Sequence, residues 1–322
     1  DAEVFTVVAG QNAGAAALFE GDAAVCTHPE ILGLFQRARA QAPRHGESVT
    51  VAGETIFYDR VVAAPVLCLC GGGHVSLPVA QLARKLGFAV MVIDEREQFA
   101  NSERFPMADQ IICADFESGL KQVEGGPNHY FVIVTRGHQY DRFCLESILR
   151  KQYAYVGMIG SRGKVGKVFE SLLEQGYTRE QIASVHSPIG LPIGANTPDE
   201  LAVSILAEII SVRNAKGGDS GWDEALVAGL LEHGAHGAMC TVVSKHGSAP
   251  RSPGARMFVT AEGRAYGTVG GGAGEKAATD RALEVIATGV PGMYHCRMEG
   301  KSAADEGMIC GGVIDVFIQR LD

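Results

Sequence analysis

Between residues 65 and 214, short apolar runs alternate with longer stretches of helical spacing. The apolar cores are Val66–Cys70, Val90–Ile93, Gln110–Cys113, Phe131–Val134, Tyr155–Ile159 and Ala183–His186. Runs that are apolar at successive positions bury both faces, as strands do in a parallel sheet covered by helices. These runs predict an α/β fold with a doubly wound, Rossmann-like sheet in the order 3-2-1-4-5-6. Leu77–Leu86 reads as the helix after the first strand. The last helix has a defined start, because Thr197-Pro-Asp-Glu200 is a capping box with proline at the first helical position. It runs to about Asn214, with Leu201, Ile205 and Ile209 as its core stripe.

The flanks read differently. In residues 1–64, Val4–Val8 and Ala15–Phe19 read as short strands and Pro29–Ala42 as a helix. Ser48–Ala52 and Glu54–Arg60 make a hairpin around Gly53. Residues 215–221, Ala-Lys-Gly-Gly-Asp-Ser-Gly, are a linker. Beyond it, Trp222–Glu232 and Lys276–Thr288 have helical spacing. Ala238–Ser244, Ala255–Thr260, Ala265–Thr268 and Val313–Gln319 read as strands, so residues 222–322 form a second, smaller α+β domain.

Composition narrows the function classes. The chain has 322 residues, of which 46% are hydrophobic and 20% charged, the balance of a globular protein. Its formal charge is −9 and no basic run exceeds two residues, which argues against a nucleic-acid partner. No apolar run approaches the ~18 residues that would cross a bilayer, and the start Asp-Ala-Glu lacks the pattern of a signal peptide. The cysteines are scattered without a C-x-x-C pair, which points to reduced thiols in the cytoplasm and no structural zinc site. Cys68 and Cys70 alternate along a strand and share one buried face.

The glycines carry the candidate chemistry. Val66-Leu-Cys-Leu-Cys-Gly-Gly-Gly-His-Val75 is a strand running into a glycine turn, with an acid, Asp94, about twenty residues on at the end of the next strand. Gly71, Gly72 and Gly73 with His74 suit a pyrophosphate at a helix N-terminus, where His74 is expected to stay neutral. Gly71 and Gly73 take the first two glycine positions of a dinucleotide motif, but Ser76 stands at the third. Asp94 is expected to hold a ribose hydroxyl, favouring NAD over NADP, with Arg96 beside it. Other strand ends gather at the same rim, bringing Thr135-Arg-Gly-His138, Gly160-Ser-Arg-Gly-Lys164 and His186-Ser-Pro-Ile-Gly190. Gly160, Ser161 and Arg162 suit a phosphate or a solvated helix start. Thr135 opens the segment in which His138 and Asp141 read as a polarised pair or a helix cap. His186 reads as a structural hydrogen bonder.

In the second module, Gly247-Ser-Ala-Pro-Arg-Ser-Pro-Gly254 presents Ser248 and Arg251 on a rigid loop. Gly267-Thr-Val-Gly-Gly-Gly272 follows, and Gly271, Gly272 and Glu275 open a helix there. Together these loops form a second anion-binding surface or, more plainly, a hairpin corner and a flexible link. Cys310 precedes two glycines and reads as a core thiol, a sulfur ligand or a nucleophile.

Gly247-Ser-Ala-Pro-Arg-x-Pro-Gly-Ala-x-Met257, Gly267-Thr-Val-Gly-Gly-Gly272 and Met308-Ile-Cys-Gly-Gly-Val-Ile-Asp-Val-Phe317 resemble the small domain of the XdhC/CoxI family. The glycine turn, Gly157-Met-Ile-Gly-Ser-Arg162 and the segment His186–Glu200 resemble that family's Rossmann domain. The resemblance covers nearly the whole chain. It implies a cytoplasmic xanthine dehydrogenase accessory protein, a chaperone rather than a turnover enzyme. Such a chaperone binds molybdenum cofactor, as molybdopterin or its dinucleotide form, and delivers it to a molybdenum hydroxylase client. It also implies a homodimer.

In the family the small domain usually comes first, whereas here it follows the Rossmann unit, as in a circular permutation. Residues 1–64 are then expected to pack with 222–322. The family often has cysteine directly after the triple glycine; here Ala273, Gly274 and Glu275 stand there, leaving Cys310 as the candidate thiol. Two other readings stay open: an NAD-dependent oxidoreductase, which needs an acid–base pair near the nicotinamide, and a structural adaptor using the fold as scaffold.

Overall fold

Five parallel strands, β6 (Val66–Cys70), β7 (Ala89–Asp94), β8 (Gln110–Cys113), β9 (His129–Ile133) and β10 (Tyr155–Met158), pair in the order β10-β9-β6-β7-β8. The computed structural model describes residues 2–215, 221–234, 236–247, 251–297 and 312–321. Period-two alternation sorts the two faces of the sheet. Cys68 and Cys70 of β6 point into one core and Leu67 and Leu69 into the other. The first core is closed by α3 (Phe116–Lys121), α4 (His138–Ile148) and α5 (Arg162–Glu174), the second by α2 (Ser76–Lys85) and α7 (Pro198–Ala215). This is a Rossmann-like α/β unit. Contact with Cys70 and burial push the Cys68 thiol up, and contact with Cys144 does the same to Cys70, so both stay protonated in the core.

The strand expected over Ala183–His186 does not form. Ala183 ends α6 (Arg179–Ala183), which starts in a capping box between Thr178 and Gln181. Only His186 reaches the sheet, in a single parallel bridge to Gly157. Pro188 follows at once and has no N–H to extend a ladder. The capping box of α7 is present: the Glu200 amide donates to Thr197 Oγ1 at 3.2 Å, and Glu200 Oε2 accepts from the Thr197 amide at 3.0 Å. Its core stripe is Ala202, Ile205, Leu206 and Ile209; Leu201 is only half-buried.

The chain divides into two compact units, Ala63–Gly218 and a second made of Asp1–Val62 with Asp219–Asp322. The second unit holds two antiparallel sheets. One orders β3-β2-β1-β5-β4, from β1 (Ala2–Ala9), β2 (Ala16–Glu20), β3 (Ala23–Cys26), β4 (Ser48–Val51) and β5 (Glu54–Val61). The expected helix over 29–42 is a 3-10 turn, Pro29–Ile31, leading into α1 (Leu32–Arg39), which packs on this sheet. The other sheet orders β13-β12-β11-β15-β14, from β11 (Gly237–Gly247), β12 (Arg256–Thr260), β13 (Ala265–Gly267), β14 (Gly292–Arg297) and β15 (Gly312–Leu321). The strand expected from Ala255 begins at Arg256. Strands β3 and β14 have no counterpart in the sequence reading. Helix α8 (Glu224–His233) starts two residues after Trp222, because Asp223 caps it by accepting from the Leu226 amide at 2.8 Å. Helix α9 (Gly272–Thr288) covers the second sheet.

Val8 and Phe57 of the first sheet pack with Val243 and Phe317 of the second. Beside this apolar contact lies a buried ion pair. Asp59 of β5, 1% exposed, meets the Arg256 guanidinium of β12. His45 Nδ1 lies 2.9 Å from the other oxygen of Asp59, and Arg256 stacks over the Trp222 ring at 4.7 Å. Removing one partner of a buried pair leaves an uncompensated charge, which costs about 3–5 kcal/mol. Asp59→Ala is therefore expected to lower the urea-unfolding free energy by about that amount. Glu117→Ala, which removes the exposed partner of Lys121, should leave the midpoint near that of the parent.

Candidate functional site at the glycine turn

The turn after β6 is fixed mainly by its own packing. Gly71 has φ +114°, and a Cβ there would lie 2.6 Å from the Val134 carbonyl oxygen. A Cβ on Gly72 would lie 2.0 Å from the Phe99 carbonyl oxygen. Both positions exclude any side chain because backbone crosses them. Gly73 has open space within 4 Å of its Cβ position. The serine at the third motif position has a structural role: Ser76 is fully buried and its hydroxyl donates to the Gly71 carbonyl, closing the turn.

Asp94 corrects the expectation placed on it. It is 1% exposed, and both carboxylate oxygens are taken by the protein itself. Oδ1 accepts from the Arg96 amide at 3.0 Å and Arg96 Nε at 2.8 Å; Oδ2 accepts from the Gly72 amide and an Arg96 terminal nitrogen, each at 2.8 Å. A carboxylate has about four lone-pair sites, and all are filled, so none is left for a ribose hydroxyl. Burial pushes the Asp94 carboxyl upward, but the Arg96 hydrogen bonds and the two amides outweigh it and hold it below its ordinary value. The same bonds raise Arg96.

Sequence reasoning missed two residues. Arg104 donates from Nε to the Gly72 carbonyl at 3.0 Å and from a terminal nitrogen to the Gly73 carbonyl at 3.1 Å. Phe99 lies under the Arg96 guanidinium at 3.8 Å, and exposed His74 meets its ring edge-on at 6.5 Å. The available signal was a pair of arginines in the loop after β7, which has no motif spacing. Among the described residues nothing accepts from the amides of Gly73, His74 and Val75, and no side chain caps α2. These donors sit at the positive end of a ten-residue helix, an arrangement that suits an anion.

Thr135 adjoins the turn, its Cα 3.3 Å from where a Cβ of Gly71 would lie. Its hydroxyl donates to buried Asp141 Oδ1 at 2.6 Å. The acid expected to polarise His138 is thus engaged by a threonine; the His138 side chain lies outside the described residues, as does that of Arg162. Gly160 and Ser161 follow β10, two strands from β6, with Ser161 exposed as the N-cap of α5. His186 stacks on Tyr155 at 4.6 Å, and its Nδ1 lies 3.4 Å from Glu208, a structural role.

In the other unit, the triple-glycine turn already holds an anion of its own. Glu275 Oε2 accepts from the Gly271 amide at 2.9 Å and from the Thr268 hydroxyl at 2.7 Å, which corrects its reading as part of an open anion-binding start at Gly271 and Gly272. Arg251 is exposed. Ser248 and Cys310 lie outside the described residues. Among the described residues no group of three or more His, Cys, Asp or Glu is placed to hold a metal ion, and no helix is long and apolar enough to cross a membrane.

These features define a Rossmann-like α/β unit and a second unit of antiparallel sheets. Residues 67–209 match the XdhC Rossmann domain, and residues 230–296 match the XdhC and CoxI family. The chain belongs to the XdhC and CoxI family. It is 38% identical over 166 residues to the uncharacterized protein YqeB of Escherichia coli strain K12, covering 51% of this chain and 30% of that protein. It is 34% identical over 158 residues to a probable xanthine dehydrogenase subunit of Bacillus subtilis strain 168, covering 49% of this chain and 46% of that one. The matches thus span less than half of either relative. A solved structure described as a xanthine dehydrogenase from Bacillus halodurans shares the fold, with a TM-score of 0.55 at 21% identity over 67% of this chain and 63% of that one.

Asp94 yields a pH-dependent test. Its folded pKa lies below the ordinary 3.8, so the ionised form stabilises the fold above that value, and the contribution is lost as pH falls through the folded pKa. Asp94→Asn is expected to unfold at lower urea than the parent at neutral pH, with the gap closing below about pH 4. A gap that stays constant with pH would contradict the assignment.

Proposed function

We propose that the chain is an accessory protein of a xanthine dehydrogenase-type molybdenum hydroxylase and carries molybdenum cofactor as its cargo. The observation that best supports this reading is the open run of amides at Gly73–Val75, at the start of α2. A pterin phosphate brings negative charge and several acceptor oxygens, which backbone donors at a helix start suit. Family membership and the name of the Bacillus subtilis relative point to the same client class. The molybdenum supplies redox chemistry to the client; the part of this chain is to bind and release. Gly71 and Gly72 shape the turn, and Gly73, His74 and Val75 offer the donors. Ser161 and Arg162 of the same unit are further proposed contacts, and Ser248, Arg251 and Cys310 are proposed as a cofactor-binding set of the other unit, considered by itself. On this reading the protein is a cytoplasmic homodimer that takes either molybdopterin or its dinucleotide form.

The nicotinamide reading is weaker on a specific ground. The acid that would hold the ribose, Asp94, has its acceptor sites filled by Arg96 and Gly72. The acid of the candidate catalytic pair, Asp141, is engaged by Thr135.

Gly73→Asp tests the assignment, because the new side chain enters open space and brings a carboxylate that competes for the same amides. Titration calorimetry with molybdopterin should show binding to the parent and about tenfold or greater weakening in the variant, at unchanged melting temperature. NAD should bind neither. Tight NAD binding without pterin binding, or an unchanged pterin dissociation constant in Gly73→Asp, would overturn the proposal.

A further inference from the structure

A groove of about 880 Å³ runs between α4 and α5 of the Rossmann unit. That volume falls within the ~300–1,000 Å³ of small-molecule sites. Its two walls differ in chemistry. From α4 come Tyr140 and Phe143, and Phe143 is left 44% exposed. Tyr140 is braced from behind by the Phe116 ring, edge-on at 5.5 Å. From α5 come Lys164 and Lys167, three residues apart and so on one helical face, with buried Val168 between the walls. Both lysines are exposed, and neither has an acidic partner among the described residues. Arg142, on the α4 wall, adds a third cation already paired with Glu146 at 3.3 Å from Nε, and Ser171 Oγ, 3.4 Å from one terminal nitrogen, holds it along the groove. Among the described residues no acidic side chain lines the space.

Aromatic side chains on one wall offer a face for a flat heterocycle, and clustered cations on the other offer sites for several phosphates. We propose that this groove binds a nucleoside polyphosphate, its base against Phe143 and Tyr140 and its phosphates on Lys164, Lys167 and Arg142. None of Gly71, Gly72, Gly73, His74 and Val75 lines the groove, although Ser161, a proposed pterin contact, stands at its rim; the proposal does not depend on whether the glycine turn holds a pterin.

Calorimetric titration of the full chain with ATP, GTP and CTP tests this, with the corresponding nucleoside and inorganic tripolyphosphate as the two halves of the ligand. At least one triphosphate should bind, and each half alone should bind about tenfold more weakly or worse. Lys164→Ala with Lys167→Ala should weaken the triphosphate about tenfold or more, and Phe143→Ala several-fold. All three positions are exposed, so melting temperatures should hold. Gly73→Asp should leave this binding unchanged, which separates the groove from the glycine turn. The proposal is overturned by absence of binding at millimolar triphosphate or by affinity unchanged in both sets of groove variants. It is also overturned by tripolyphosphate binding as tightly as the nucleotide, or by loss of nucleotide binding in Gly73→Asp alone.

Discussion

The Rossmann unit is organised around one buried carboxylate. Asp94 ends β7 and gathers the Gly72 amide, the Arg96 amide and the Arg96 guanidinium. A buried charge is tolerated only when its acceptor sites are filled, and here the partners that fill them come from the turn and from the next loop. Asp94 therefore fixes where the glycine turn sits relative to β7. Arg96, once drawn to it, stacks on Phe99, and the Phe99 carbonyl is the backbone that leaves no room for a side chain at position 72. An acid that looks like a ligand residue by its place in the motif is instead the centre of the scaffold that shapes the glycine turn.

Much of the architecture was legible in the sequence because burial on both faces writes continuous apolar runs. The five parallel strands and the glycine turn lie where those runs place them, and Thr197–Glu200 marks its helix start. What failed has physical reasons. The run before Ser187–Pro188 had the composition of a strand, but a helix cap upstream and a proline downstream left a single bridge. Strand β14, Gly292–Arg297, is an edge strand carrying Tyr, His and Arg, so its apolar signal is thin. In the site, the glycines were legible but their reasons were not. Close approach of Val134 and Phe99 backbone at Gly71 and Gly72 is long-range in sequence, as is Arg104 closing on the turn from thirty-two residues away.

The two glycine turns of the protein end in opposite states. At Gly270–Gly272 the chain supplies its own carboxylate, and Glu275 satisfies an amide that a ligand would otherwise take. At Gly73–Val75 the donors are left open. Glycine content alone does not tell the two apart; the difference lies in a carboxylate three residues beyond one turn and in its absence beyond the other. The second unit is held by a different device, the buried Asp59–Arg256 pair beside an apolar seam, which ties β5 to β12 across more than half the sequence.

The grip of Arg104 on the glycine turn carries a consequence for the donors. In a trans peptide the carbonyl and the following N–H point in opposite directions from one rigid plane, and the only cis bond among the described residues is far away, at Ser187-Pro188. Pinning the Gly72 and Gly73 carbonyls on one side therefore aims the amides of Gly73 and His74 to the other. The two peptide planes are oriented before any ligand arrives. An incoming anion does not have to order this part of the chain, and the conformational entropy that a loose glycine loop would lose on binding has already been spent in folding.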